Sequence, residues 1–254
     1  MPASPTIEVC VESVEGALTA EAGGADRVEL CADLVEGGIT PSPGSMRLAV
    51  ERLGIPTMVM IRPRGGDFVY SAVERQVMLA DIEAARDAGV HGVVFGVLRP
   101  DGTLDKDAMR ELVRAAGPLE VTCHRAFDMT VHPRRALDEL IEIGVERVLT
   151  SGQEATAVRG TALLRELVER GADRIIVMPG GGIAPDGIGP LVASTGCREV
   201  HFAALGSAES PMQYRNPRCA MGATAEVPGE YERVTTSLDL VRRFVKAARG
   251  NQAG

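Results

Sequence analysis

An α/β fold in the form of a closed (β/α)8 barrel is predicted by three features of this 254-residue sequence. A glycine followed by a short β-branched run recurs along the chain, the recurrences lie 25 to 35 residues apart, and amphipathic stretches separate them. Glycine just after a helix supports a left-handed cap, and this spacing fits one βα unit. Helices that alternate with apolar strands predict a parallel sheet with the helices outside it.

The opening run TIEVCV is predicted as the first strand. The other seven predicted strands are, in chain order, GADRVEL (24–30), GIPTMVMI (54–61), GVHGVVF (89–95), GPLEVT (117–122), GVERVLT (144–150), GADRIIV (171–177) and GCREVHF (196–202). Two outer helices are predicted from apolar residues at helical spacing, over 72–89 and 162–171. Eight such units favour one barrel of the TIM type, a single domain over 1–254, rather than an open doubly wound sheet.

The segment after the eighth strand, 203–231, has no period and is rich in Ser, Pro, Gly and Ala. We expect it to be irregular. A loop of this length in a compact domain is usually functional or disordered. Two interpretations stay open: an ordered flap near the mouth of the barrel, and a surface tail that packs on a neighbouring subunit.

Composition excludes several classes of function. A net charge of −8 without a basic cluster argues against a nucleic-acid partner. Five cysteines without a CxxC spacing predict free thiols in a reducing compartment rather than disulfides or a zinc knuckle. Only Lys106 and Lys246 are lysines, and neither ends a strand, so a Schiff-base mechanism has no candidate. With no signal peptide or membrane span, we expect a cytoplasmic protein.

The strand ends carry the candidate site, because barrel active sites lie at the carboxyl ends of the strands. Strand parity predicts that Ile7, Val9, Val28 and Leu30 face the helices. By the same parity, ionisable and thiol side chains face the barrel axis. They are Glu8, Cys10, Glu29 and Cys31, with Arg62, His124 and His201 converging on the same interior.

Such a cluster is typical of a catalytic site, since perturbed ionisable groups collect there. The predicted catalytic set is Glu8, Glu29, Arg62, His124, Arg125 and His201. In this interpretation His124 is the acid/base with Glu8 or Glu29 as its partner, and the two arginines clamp an anion. RPRGGDF (62–68) and PGGGI (179–183) are further predicted to border an anion site formed by Arg64, Gly180, Gly181 and Gly182.

The motifs EVC, GADRVELC, EGGITPS, MIRPRGGDFVYS, VTCHRAFDM, ERVLTSG, MPGGGI, EVHF and YRN, in this order, resemble the CutC family from about residue 6 to 250. The resemblance implies a cytoplasmic, commonly homodimeric TIM-type barrel with a role in copper homeostasis. It also implies that Cys10 and Cys31 hold Cu(I). Cys123 stands where the family usually has Phe, and Phe202 with Ala203 replaces its usual small polar pair.

Three functions therefore stay open: Cu(I) binding by the soft thiols, acid/base catalysis on a small anionic, for example phosphorylated, substrate, and a harder divalent ion. The harder ion would be held by Glu8, Glu29, His124 and His201. For Cu(I), we predict that matching residues of IEVC (7–10) and VELC (28–31) lie side by side on adjacent strands, so that one ion bridges both sulfurs.

Overall fold

The computed structural model describes residues 4–216, 218 and 231–250. Its eight parallel strands are those predicted: β1 (Thr6–Val11), β2 (Arg27–Leu30), β3 (Thr57–Met60), β4 (Gly92–Phe95), β5 (Glu120–Cys123), β6 (Arg147–Thr150), β7 (Ile176–Pro179) and β8 (Glu199–Ala203). The helices that follow them are α1 (Val14–Ala22), α2 (Pro43–Arg52), α3 (Ala72–Ala88), α4 (Lys106–Ala116), α5 (Pro133–Ile143), α6 (Thr161–Gly171), α7 (Pro185–Thr195) and α8 (Leu238–Arg249).

The strands form one sheet in the order β7-β6-β5-β4-β3-β2-β1-β8. The two outer strands of this order meet at a single parallel bridge between Gly180 and His201, which nearly closes the barrel. The (β/α)8 prediction is confirmed. Among the described residues, no helix has the length and apolar composition needed to cross a bilayer.

Local sequence explains where the helices begin and end. Ser71 caps α3 and forms a reciprocal capping box with Glu74. Gly89 and Gly144 end α3 and α5 with φ of 77° and 87°, the left-handed conformation that glycine adopts without strain. Gly171 differs from this pattern, because it lies inside the last turn of α6.

The two sides of the barrel wall differ in chemistry as strand parity predicts. Ile7, Val9, Val28 and Leu30 are fully buried against the helices. Cys123 belongs to the same helix-facing core. The inward side carries polar, thiol and methionine side chains, which is unusual for a barrel interior and marks it as the place to look for chemistry.

The expectation that 203–231 is irregular is wrong at its start. Leu205–Glu209 forms a strand (β9) that pairs antiparallel with Glu232–Thr236 (β10). A Cβ atom on Gly16 would lie 2.7 Å from Thr236 Oγ1. The hairpin therefore lies beside the first turn of α1, on the rim at the carboxyl ends of the strands. Part of the predicted flap, 217 and 219–230, lies outside the described residues.

Candidate functional site

A cavity of about 120 Å³ opens at the carboxyl ends of the strands. It collects five of the six predicted catalytic residues. Its lining is Cys10, Glu29, Gly37, Met60, Arg62, Phe68, His124, Arg125, Leu149 and His201. The sixth predicted residue, Glu8, is 1 % exposed and lies behind His201.

The two thiols meet, although not in the register predicted. Cys10 is paired with Glu29, and Glu8 with Arg27, so the IEVC and VELC segments are offset by two residues. Strands of a closed barrel tilt and are therefore staggered. Cys31 lies just beyond the end of β2, and its Sγ is 3.7 Å from Sγ of Cys10. The side-by-side register was wrong, but the proximity of the sulfurs is real.

The paired thiols differ in acidity. A hydrogen bond with Cys31 and the neighbouring His201 lower the pKa of Cys10 to about 5, against the effect of burial. The same hydrogen bond, together with burial, raises the pKa of Cys31 well above its usual value. The pair therefore shares one proton near neutral pH. Met60 belongs to the same buried cluster, which adds a soft thioether to the surroundings.

Glu29 lies between the thiols and the imidazole of His201. The Cys31 thiol donates to its Oε2 at 3.6 Å, and Nε2 of His201 is 3.7 Å from the same oxygen. Burial and the charge on Cys10 raise the pKa of Glu29 well above its usual value. Its Oε1 has no partner in the part of the chain that the structure describes.

His201 is held from behind by Glu8, whose Oε1 lies 2.8 Å from the imidazole Nδ1. Burial opposes ionisation of Glu8, but Arg27 and His201 overcome it and lower the pKa of this carboxyl to about 2. Burial likewise opposes the imidazolium, yet Glu29 and the hydrogen bonds with Cys10 and Glu8 raise the pKa of His201 well above its usual value. Both shifts act in the direction that favours an ionised Glu8 beside a protonated His201.

Arg62 is clamped by backbone carbonyls. Its Nη1 donates to the carbonyls of Glu36 (2.7 Å) and Gly38 (3.1 Å), and its Nη2 donates to that of Gly66 (2.8 Å). The guanidinium carbon lies 5.1 Å from the centre of the Phe68 ring. Nε is buried and has no partner among the described residues.

His124 is fixed in one tautomer. Its Nδ1 accepts the backbone N–H of Ala126 at 3.2 Å, so the proton of the neutral ring is on Nε2. Nε2 is buried without a partner among residues 4–216, 218 and 231–250. Burial and the nearby Arg62 lower the pKa of His124 to about 3. A Cβ atom on Gly96 would lie 2.9 Å from Nδ1, so this glycine makes room for the ring.

Arg125 forms the edge of the cavity. Its guanidinium donates to Asp128 (2.8 Å) and Ser151 (3.0 Å), and its side chain is 45 % exposed. A Cβ atom on Gly181, where φ is 101°, would lie 3.0 Å from the guanidinium carbon. The glycine turn and this arginine are therefore neighbours.

In the predicted anion site, Arg64 has different surroundings from the three consecutive glycines. Arg64 is outside the cavity lining and pairs with Glu74 and Asp67. Gly180 forms the bridge that closes the barrel, and its N–H donates to the carbonyl of Thr150. Gly181 and Gly182 have positive φ. The structure does not bring Arg64 and these glycines into one pocket.

Sequence reasoning missed a layer of charge beneath the cavity. Arg27 donates to Glu8 and Glu199, and Arg147 donates to Glu199 at 2.5 Å. All four side chains are less than 10 % exposed. The sequence did contain an indication of this layer. Arg27, Arg147 and Glu199 are each the first residue of a strand, at a position whose side chain faces the barrel axis. This layer supports Glu8 and, through it, His201.

Metal-ligating groups cluster in two overlapping sets among the described residues. Cys10, Glu29 and Cys31 form one set, and Glu8, Glu29 and His201 form the other, with ligand atoms within 4.8 Å of one another. His124 belongs to neither set. The first set is soft at two of its three positions, and the second is hard.

A model of the CutC family matches residues 5–206. A family protein CutC from Mesorhizobium japonicum is 53 % identical over 245 residues, which cover 96 % of this chain and 95 % of that protein. This chain belongs to the CutC family. A human relative, named copper homeostasis protein cutC homolog, is 47 % identical over 236 residues, covering 93 % of this chain and 86 % of the relative. The resemblance carried by the sequence motifs is confirmed.

Solved structures agree on the fold. The CutC structure from Streptococcus agalactiae is 32 % identical, has a TM-score of 0.75, and covers 78 % of this chain and 98 % of its own. TrpF from Jonesia denitrificans is 14 % identical, with a TM-score of 0.60 over 98 % of this chain and 99 % of its own. At that identity the likeness to TrpF concerns the barrel alone.

Proposed function

We propose that this CutC family member takes part in copper homeostasis by binding Cu(I) between Cys10 and Cys31. The observation that carries the proposal is the 3.7 Å separation of two buried sulfurs, of which that of Cys10 belongs to the lining of an open cavity. Thiolate and thioether ligands suit Cu(I) better than hard divalent ions. The name of the human relative supports a relation to copper.

The local electrostatics favour loading of one soft ion. Because the pKa of Cys10 is already lowered to about 5, binding needs to displace only the proton of Cys31. That proton lies beside Glu29, since the Cys31 thiol donates to Oε2 of this residue. Copper is cargo in this proposal, held by the thiols with Met60 as a neighbouring soft donor.

The test is an anaerobic Cu(I) titration against a competing chelator. We expect wild type to bind one Cu(I), Cys10→Ser and Cys31→Ser to bind it more weakly, and the double variant to lose the site. Cys123→Ser is the matched control, because Cys123 is equally buried but faces the helices. Unchanged stoichiometry in the double variant would eliminate this site.

A second candidate is acid/base catalysis on a small anionic substrate. It is supported by three buried polar atoms, Glu29 Oε1, Arg62 Nε and His124 Nε2, that lack partners within the described chain and belong to residues lining one cavity. In place of His124, to which the sequence analysis gave this role, His201 would supply the proton, because Glu8 contacts the His201 imidazole and would hold the imidazolium in place. Glu8, Glu29 and His201 could also hold a harder divalent ion.

The two candidates separate in a copper-tolerance assay with variants in a host lacking its own copy. If copper binding is the function, the Cys10→Ser, Cys31→Ser double variant should fail to restore copper tolerance. A His201→Gln variant that still binds Cu(I) should restore it. The opposite pattern supports catalysis. Metal analysis of protein purified anaerobically then distinguishes copper from a divalent ion.

We also propose that the protein is a cytoplasmic homodimer. Four described cysteines are free, as a reducing compartment requires. Val73 and Val77 lie one turn apart on α3 and are 68 % and 44 % exposed, which suits an interface. Sedimentation analysis showing a monomer at micromolar concentration, or fractionation outside the cytoplasm, would contradict these assignments.

A further inference from the structure

We propose that Arg62 and His124 form a receptor for the carboxylate of a small organic acid, in the cavity that Cys10 borders. The receptor does not depend on copper. It deepens the second candidate function by naming the class of molecule that the cavity accepts. Binding of that molecule does not require catalysis; only its conversion rests on the second candidate function.

The first half of the receptor is the free edge of the Arg62 guanidinium. Of the five N–H groups of Arg62, two on Nη1 and one on Nη2 donate to backbone carbonyls, which leaves Nε–H and one Nη2–H. The buried hydroxyl of Tyr70 lies near the same guanidinium and is not part of the cavity lining. Two N–H groups of one guanidinium match the two oxygens of a carboxylate. Arg62 is 6 % exposed and already clamped, so little side-chain freedom is lost on binding.

The second half is Nε2–H of His124. The ring is 3 % exposed, and the Ala126 N–H bond to Nδ1 leaves Nε2 as a donor. A buried donor without an acceptor is costly, and native proteins rarely leave one unsatisfied. Two such donors in residues lining the same cavity therefore point to a ligand that supplies acceptor oxygens.

Phe68 brings the two donors together. Its ring centre lies 4.9 Å from that of His124, and the Arg62 guanidinium carbon lies over the same ring. All three residues line the cavity. Phe68 therefore packs against both donor residues.

The apolar part of the lining suits an organic acid better than an inorganic phosphate. Met60 and Leu149 are apolar and suit the hydrocarbon part of an organic acid. A phosphate has more acceptor oxygens than Arg62 and His124 can satisfy, and it would also need Arg125 or His201, which line the same cavity. Arg64, which could have supplied more donors, is already paired with Glu74 and Asp67 outside the cavity.

The test is calorimetric titration of the copper-free protein with acetate and, separately, with inorganic phosphate. We expect saturable acetate binding in about the millimolar range, as for a ligand of a few atoms. His124→Asn should weaken acetate binding about tenfold or more, the usual effect of losing one hydrogen bond to a charged group. Asparagine can still accept the Ala126 N–H, so the loop keeps its cap.

Two comparisons make the result decisive. Arg62→Gln should also weaken acetate binding, whereas Arg64→Gln removes a charge from the same loop and should not. Failure of the Cu(I) titration leaves this proposal standing, because neither Arg62 nor His124 is a ligand in the copper proposal. The proposal is overturned if wild type shows no saturable acetate binding, if Arg64→Gln is as harmful as His124→Asn, or if phosphate binds more tightly than acetate.

Discussion

Replacing Arg27 by methionine is expected to lower the free energy of unfolding by about 3–5 kcal/mol. Arg27 is 6 % exposed and bonds to Glu8 and Glu199 at the bottom of the site. Methionine keeps the length of the side chain but leaves Glu8 without its main counter-charge and Glu199 with Arg147 alone. Removing one partner of a buried ion pair is costly for this reason. Urea unfolding at neutral pH, followed by circular dichroism, measures the loss.

Arg134→Met is the control for this prediction. Arg134 pairs with Glu166 on the surface, where the side chains are 57 % and 42 % exposed, so we expect a loss below about 1 kcal/mol. If both variants lose equally little, the buried charge layer does not have the role assigned to it. A large loss would also mean that Glu8 is held ionised chiefly by Arg27, and so that His201 depends on this layer for its partner.

The fold could be predicted from the sequence because each βα unit carries its own local signals. Glycine after a helix and a β-branched run after the glycine are features of neighbouring residues, as at Gly89 and Gly144. Strand parity is also local, and it correctly separated Ile7 and Val9 from the inward-facing residues. These signals need no knowledge of which strands touch.

The register of the thiols could not be predicted, because parity does not specify stagger. It correctly put Cys10 and Cys31 on the inward side, but the offset between β1 and β2 depends on the tilt of the whole closed sheet. The same limit hid the charge layer, since Arg27 and Glu199 are 172 residues apart in sequence. Only the closed barrel makes them neighbours.

The β9–β10 hairpin was missed for a related reason. Its first strand, LGSAE, has small residues and half-exposed positions rather than an apolar alternation. Its partner begins at Glu232, beyond the segment assigned as irregular. A strand whose stability comes from a distant partner carries little periodic signal of its own.

Acid is expected to destabilise the protein through His124. The folded state holds the pKa of this imidazole at about 3, through burial and Arg62, whereas the unfolded chain titrates near 6.5. Between these values the unfolded state binds the extra proton, so stability falls as pH falls. The slope from one such group is about 1.4 kcal/mol per pH unit, or roughly 3 kcal/mol between about pH 6.5 and 4.

Two other groups act in known directions. Glu8 adds to the loss of folding stability as the pH falls below its unfolded pKa of 4.5, since its folded pKa is about 2. The raised pKa of His201 stabilises the folded state at lower pH, and this stabilisation is lost as the pH rises from the unfolded pKa of 6.5 through the folded value. Two further groups also act in this range: the lowered pKa of Cys10 adds to the loss of stability between about pH 9 and 5, and the raised pKa of Glu29 opposes the loss above pH 4.5. The contribution of His124 is therefore read from the difference between wild type and the His124→Asn variant.

Urea unfolding of wild type and His124→Asn from pH 7 to pH 4 checks this. Asparagine keeps an acceptor for Ala126 but does not take up a proton, so the acid limb of the variant should be flatter by up to one proton's slope. Proton NMR of the folded wild type should show His124 still neutral at pH 5. An imidazole that titrates near 6.5, or parallel limbs for the two proteins, would mean that His124 is solvated in the folded state. The donor at Nε2 would then already be satisfied by water, and the carboxylate receptor would lose half of its basis.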